Sequence, residues 1–187
     1  MDSRSHFLVY LLGGKMKQVI ILTFSLFIFA AIVVIIPQKQ SIVFQPNHST
    51  DRFVYLPIKG EKSFHIKYTH SIHLSDVVES YKITTNQEIQ QYELMYEDFA
   101  IGMPANADEG ETFEHVDGKY YIKNMNRIFQ SFHLRIGQVR ANHRVIYKKH
   151  EYVLTQFLKP GTSVKIEVRK LNILQQWKGV NILEFER

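Results

Sequence analysis

The rhythm of hydrophobic positions changes once along this 187-residue chain, and the change divides it. From Val19 to Ile36 the run "VIILTFSLFIFAAIVVII" is eighteen residues without a charge or a polar face. A helix rises 1.5 Å per residue, so this run matches a hydrocarbon core of about 30 Å with little to spare. Further on the period becomes two. "FHIKYTHSIHL" places Phe64, Ile66, Tyr68, His70, Ile72 and Leu74 on one face, with His65, Lys67, Thr69, Ser71 and His73 on the other. "VKIEVRK" from Val164 and "FHLRI" from Phe132 alternate in the same way, as half-buried strands do. Asp117-Gly118, between "TFEHV" and "KYYI", is the two-residue type I′ hairpin signal, and Lys159-Pro160-Gly161 marks a second turn. Only "MNRIFQSF" also fits helical spacing, through Met125, Ile128, Phe129 and Phe132, and it admits one short helix. The pattern predicts a mainly β domain, an antiparallel sandwich or partly open barrel, preceded by one transmembrane helix.

The apolar run is a membrane helix or a signal peptide. The following "PQKQS" has no A-x-A pattern, and there is no cysteine to carry a lipid, which favours an uncleaved anchor. Arg4, Lys15 and Lys17 precede the run against Asp2, and only Lys39 follows closely, so the positive-inside rule puts residues 1–18 in the cytoplasm and the domain outside. Residues 37–52 are polar, with Pro46, Asn47, Ser49 and Thr50, and read as a tether; the ordered domain is expected over 53–187. Met16-Lys17 is itself a well-formed start for an anchored protein, so residues 1–15 are expected to be untranslated in nature. A native peptide beginning before Met16 would refute that expectation.

Charge adds a second division. The net charge is +5, yet Gly60 to Gly118 holds twelve acids against three bases, and Tyr120 to Arg187 thirteen bases against four acids. Acidic strands paired with basic ones would account for this. So would a basic face toward an anionic membrane or wall polymer, with an acidic face toward a cation or partner. Nucleic acid is excluded as a partner, because no recognised binding motif accompanies the positive charge and the domain is placed outside the cell. Zero cysteines rule out a disulfide framework and suit a bacterial surface; the "NHS" sequon at Asn47 is then without consequence.

The candidate chemistry sits in "YTHSIHLSDVVESY". A hairpin turning at Leu74-Ser75 would pair Ile72 with Val77, His70 with Glu79, Tyr68 with Tyr81 and Ile66 with Ile83. His70 and Glu79 then touch on an otherwise apolar row, where neither charge would be tolerated alone. Such a contact serves either as a polar pair that fixes register or, with the Tyr68 and Tyr81 hydroxyls, as a site for a small polar ligand or metal ion. An enzyme is not expected. Ser71 and His73 point away from His70 on a strand, and no zinc-protease, P-loop or dinucleotide motif is present, so no cofactor is implied. His133 and His143 read as surface or ordinary strand positions. A second region, "FAIGMPANADEGETF", is a long loop with oxygen donors at Asn106, Asp108, Glu109 and Glu111. Its spacing does not match a calcium helix-loop-helix, and its apolar tip at Gly102, Met103 and Pro104 beside Asp108 and Glu109 reads as a partner contact or ligand lid.

"FHIKYTHSIHLSDVVESYKI", "YEDFAIGMPANADEGETF", "GKYYIKNMNRIF" and "FHLRIGQV" together resemble a bacterial family of small membrane-anchored proteins with a domain of unknown function, often encoded beside TAXI-type TRAP transporters. The likeness runs from about Phe64 to Val139, plus the anchor, and is most specific at Tyr68-x-His70-Ser71 with Glu79 and at Gly102-Met103-Pro104. It implies an accessory role at a receptor-dependent solute transporter of the cytoplasmic membrane and supplies no catalytic residues. Two function classes follow. One is an interaction domain docking on a TRAP subunit or its solute receptor; the other is a small-ligand or metal-ion module centred on His70 and Glu79.

Overall fold

The computed structural model describes residues 3–47, 52–98 and 103–185. Helix α1 runs Ser3–Ile35, and within it Met16–Ile35, 20 residues, is long and apolar enough to cross a membrane and is not buried by the rest of the chain.

Beyond α1 the chain builds two sheets. The smaller has the order β12-β2-β1-β11-β8, from Val180–Asn181, Val54–Pro57, Lys39–Pro46, Ser163–Leu171 and Ser131–Arg135. The larger has the order β10-β9-β3-β4-β5-β7-β6, from His150–Val153, Arg144–Tyr147, Ser63–Thr69, Asp76–Ile83, Ile89–Tyr96, Lys119–Phe129 and Thr112–Val116. All pairings are antiparallel except β12 with β2. The sheets pack face to face as a sandwich. Ile42, Phe44, Val164 and Ile166 of the smaller sheet meet Phe64, Ile66, Tyr81, Val145 and Tyr147 of the larger, all buried. The alternation in β3 and β11 is what dictates this, since each strand then has one apolar row to bury.

Three expectations are corrected. Within the expected tether, 37–52, the described part is not a linker: Lys39–Pro46 is a strand near the middle of the smaller sheet, paired on both sides, with Ile42, Val43 and Phe44 fully buried. Its "SIVF" core is short, and its flanking Gln, Pro and Asn residues hide it from a reading by composition. The "MNRIFQSF" stretch is not helical. β7 leaves the larger sheet at Gln130 and continues as β8 of the smaller, so one extended segment crosses from sheet to sheet. Ile72 and Leu74, expected on the core row, are 61% and 58% exposed. The Asp117-Gly118 turn forms as expected, with φ of 50° and 76°.

The register defines two ends. Lys39, just after α1, pairs with Leu171, whereas Ser163 at the other end of β11 pairs with Arg135. The turns near Gly161, the 137–142 loop and, through Thr69 N–H donating to Ala141 O at 2.8 Å, the 70–75 loop lie at the end away from α1. At the near end a short helix, α2 (Ile173–Lys178), lies on the outer face of the smaller sheet, against Phe53 and Tyr55.

Candidate functional site

The β3–β4 pairing differs from the expected one. Glu79 stands opposite Ile66, Val77 opposite Tyr68, and Tyr81 opposite Phe64. The partner of Glu79 is thus four residues before His70, about 13 Å along the strand. The reason is the turn. "HSIHLS" lacks the glycine or asparagine that a two-residue primed turn needs, so the chain uses six residues, 70–75, closed by His70 N–H to Ser75 O and by Leu74 N–H to His70 O, with Leu74 itself at φ 60°. His70 leaves the strand. Because the displacement is even, every face is kept, and Tyr68, Glu79 and Tyr81 still point into the sandwich.

These three form a polar cluster in an apolar wall. Tyr81 Oη donates to Glu79 Oε2 at 2.8 Å. The Tyr81 ring is stacked between Phe64, at 5.3 Å, and Phe132 of the facing sheet, at 5.2 Å, so the hydroxyl is held in place from both sides. Glu79 has Ile66 on one side and Leu94 on the other. Burial pushes its carboxyl above the usual carboxylate range, and the Tyr81 hydrogen bond pulls partly back. Among the described residues no cation offsets that burial. Tyr68 is pushed up to about 12, first by burial and then by the Glu79 charge, and Tyr81 is raised further by the same two causes.

A fourth member was not expected. His143 is buried and stacks on Tyr68 at 5.4 Å. Its Nδ1 accepts the Gly137 N–H at 3.1 Å, which leaves the proton on Nε2 and a neutral ring; burial lowers its pKa in the same direction. Gly137 is required here, since a Cβ would stand 2.5 Å from that of Ala141. Nothing local in "RANHRV" announces this contact, because it depends on β3 pairing with β9. His70, by contrast, stands 5.9 Å from His73 with a buried Nδ1 that has no hydrogen-bond partner among the described residues.

The loop candidates divide. Gly102 lies outside the described residues. Met103 packs inward on Val77, Leu94, Tyr96, Ile122 and Met125, a second small core, and Pro104 O accepts the Tyr96 hydroxyl. Asp108 is paired with Arg127 at 2.9 Å and Glu111 with the same guanidinium at 3.3 Å, so these carboxylates are already matched by charge. Glu109 is exposed. Arg127 and Lys123, which meets Glu114 at 2.6 Å, are the basic residues of the second half that answer acids of the first. Among the described residues no group of three or more His, Asp or Glu side chains is placed to hold a metal.

A further cleft, of about 420 Å³, opens on the outer face where two bulges meet. Tyr92 is the extra residue of β5 against β4, and Asn124 to Asn126 bulge from β7; Lys82, Gln90, Glu93 and Lys123 complete the lining. Its two lysines are engaged, Lys123 by Glu114 and Lys82 over the Tyr92 ring.

The segments that carry Tyr68, Glu79, Tyr81 and His143 are similar to a described family. Residues 64–154 match the model of the Domain of unknown function (DUF1850). The matched span begins in β3 and ends just after β10, so it takes in nearly the whole larger sheet and the candidate cluster, and leaves out α1, β1, β2, β11, α2 and β12. No curated protein and no solved structure matches the chain.

Proposed function

We propose that this protein is a membrane-anchored, outward-facing interaction domain that docks through the sandwich end away from α1, as an accessory component of a TRAP-type solute transporter. The observation that carries the docking is the apolar tip. Ile72, Leu74 and Val139 are 61%, 58% and 89% exposed on two loops that Thr69 N–H and Ala141 O hold together. Large exposed apolar side chains on two loops tied together in this way suit a contact surface. The transporter rests on the resemblance to proteins encoded beside TAXI-type TRAP systems, and the orientation on the basic residues before the apolar run. Crosslinking the tagged full chain in cells and identifying what copurifies tests the reading. A TRAP membrane subunit or solute receptor enriched over an anchor-only control supports it. Recovery of a known membrane complex without either would end it.

A second reading has its own observation. Glu79 is a largely buried acid with no cation beside it among the described residues, and such a site suits a small ligand bearing an amine or a metal ion. Calorimetric titration of the domain with divalent ions and small amines would show heat lost in Glu79→Gln; equal traces for the two proteins would remove this reading.

A further inference from the structure

Helix α2 has its amphipathicity turned outward. Ile173, Leu174 and Trp177 are 45%, 48% and 90% exposed. Its two glutamines are half-buried instead: the backbone O of Gln176 accepts from Tyr55 Oη and its Nε2 donates to Leu171 O, while Gln175 closes a capping box with Asn172. A surface helix in water does the opposite. The helix is also fixed in height, since a Cβ on Gly179 would stand 2.6 Å from the Phe53 ring and 2.8 Å from that of Tyr55.

Its outward face is continuous with α1. Asn172 Nδ2 donates to Ile35 O at 3.1 Å, and Leu174 lines a groove of about 320 Å³ with Phe27, Ala30, Ala31, Val34 and Ile35. From Phe27 to Ile35 is about 12 Å of helix axis, so Leu174 stands beside the last two turns of the membrane-length segment. Lys39, Lys170 and Lys178 surround this corner, the first two on adjacent strand ends and the third in the last turn of α2.

We propose that α2 lies in the headgroup layer of the membrane that α1 crosses, with Ile173, Leu174 and Trp177 in the acyl boundary and Lys39, Lys170 and Lys178 at lipid phosphates. The proposal rests on the anchoring reading above. Tryptophan suits that layer because one part of its ring is apolar and its N–H is wet, and lysines near an anionic surface add to the attraction. The sandwich is then seated against the bilayer rather than swinging above it, and its far end is held at a fixed height.

Trp177 is the sole tryptophan, so its emission reports this helix alone. The full chain is reconstituted in phosphatidylcholine–phosphatidylglycerol vesicles, with lipids brominated near the headgroup end or near the methyl end of the acyl chain. Blue-shifted emission, quenched most strongly by the headgroup-proximal bromines and little by aqueous iodide, is the expected result. Replacing Ile173 and Leu174 by serine should restore iodide quenching while the protein still floats with the vesicles. Emission open to iodide in the unaltered protein overturns the proposal. Emission shielded from both quenchers also overturns it, in favour of a second protein surface covering α2. Failure of the full chain to float with vesicles after an alkaline wash overturns the anchoring reading itself, which separates the two failures.

Discussion

The two ends of the sandwich both expose large apolar side chains, and they do so by different means. At the near end Ile173, Leu174 and Trp177 belong to a short capped helix that is pinned to the sheet and continuous with α1. At the far end Ile72, Leu74 and Val139 stand on loops, the first of which needs a left-handed Leu74 to close. The same exposure therefore has different meanings. A rigid apolar face beside a membrane-length helix has its apolar phase already defined, whereas braced loops away from it can be offered to another protein. Between the ends lies a core that neither surface can be allowed to disturb.

The largest effect is expected where the near end joins the core. A domain begun at Phe53 lacks β1 and with it Ile42, Val43 and Phe44. Each such buried side chain contributes about 2–5 kcal/mol, and the sum rivals the whole stability of about 5–15 kcal/mol expected of a domain. This truncation should show no cooperative unfolding by circular dichroism, while one begun at Pro37 should melt as a folded domain. A cooperative transition for the shorter protein would mean that the smaller sheet is dispensable.

A smaller effect is expected at the polar cluster. Tyr81→Phe removes the donor from a carboxyl that burial already disfavours as an anion, at a cost of about 1–3 kcal/mol. The pH dependence gives the sign. Glu79 binds its proton more tightly in the fold than at the unfolded value of 4.5, so its contribution is favourable below that value. It is lost as pH rises from the unfolded pKa through the folded one. Urea melts across this window should show wild-type stability falling relative to Glu79→Gln, and Tyr81→Phe should carry the loss to higher pH. Parallel profiles for wild type and Glu79→Gln would mean that Glu79 is solvated.

These residues also show what the sequence could and could not convey. Period-two alternation identified β3, β8 and β11 and the faces of Tyr68, Glu79 and Tyr81, because side-chain direction is a local property of a strand. Register is not local. The expected pairing of His70 with Glu79 kept the faces and missed the partner, since an even slip leaves the hydrophobic pattern unchanged and only the turn chemistry of "HSIHLS" argues against it. His143 was illegible for the same reason, as its contact with Tyr68 follows from two strands that are distant in sequence. β1 was missed because four consecutive buried residues, from Ser41 to Phe44, carry no alternation to detect in a strand whose two faces are both covered. The outward face of α2 had a local signal in "NILQQW", where Ile173, Leu174 and Trp177 share a helical face, but its meaning depends on where α1 ends.

The smallest effect on stability is expected at the far end, and it separates the two surfaces most sharply. Ile72, Leu74 and Val139 bury little against their own chain, so replacing all three by asparagine should change the midpoint of a urea melt by less than about 0.5 kcal/mol in free energy. Docking should nevertheless fail, because the apolar area that a partner would cover is removed while Thr69 N–H and Ala141 O still brace the loops. Crosslinked yield of the proposed partner is the readout, compared with Ile173→Ser and Leu174→Ser at the near end. The near-end pair should retain the partner and change only how the domain sits on vesicles. If instead the far-end triple variant captures the partner at full yield and the near-end pair does not, the two apolar surfaces have exchanged roles, and α2 rather than the loops is the docking surface.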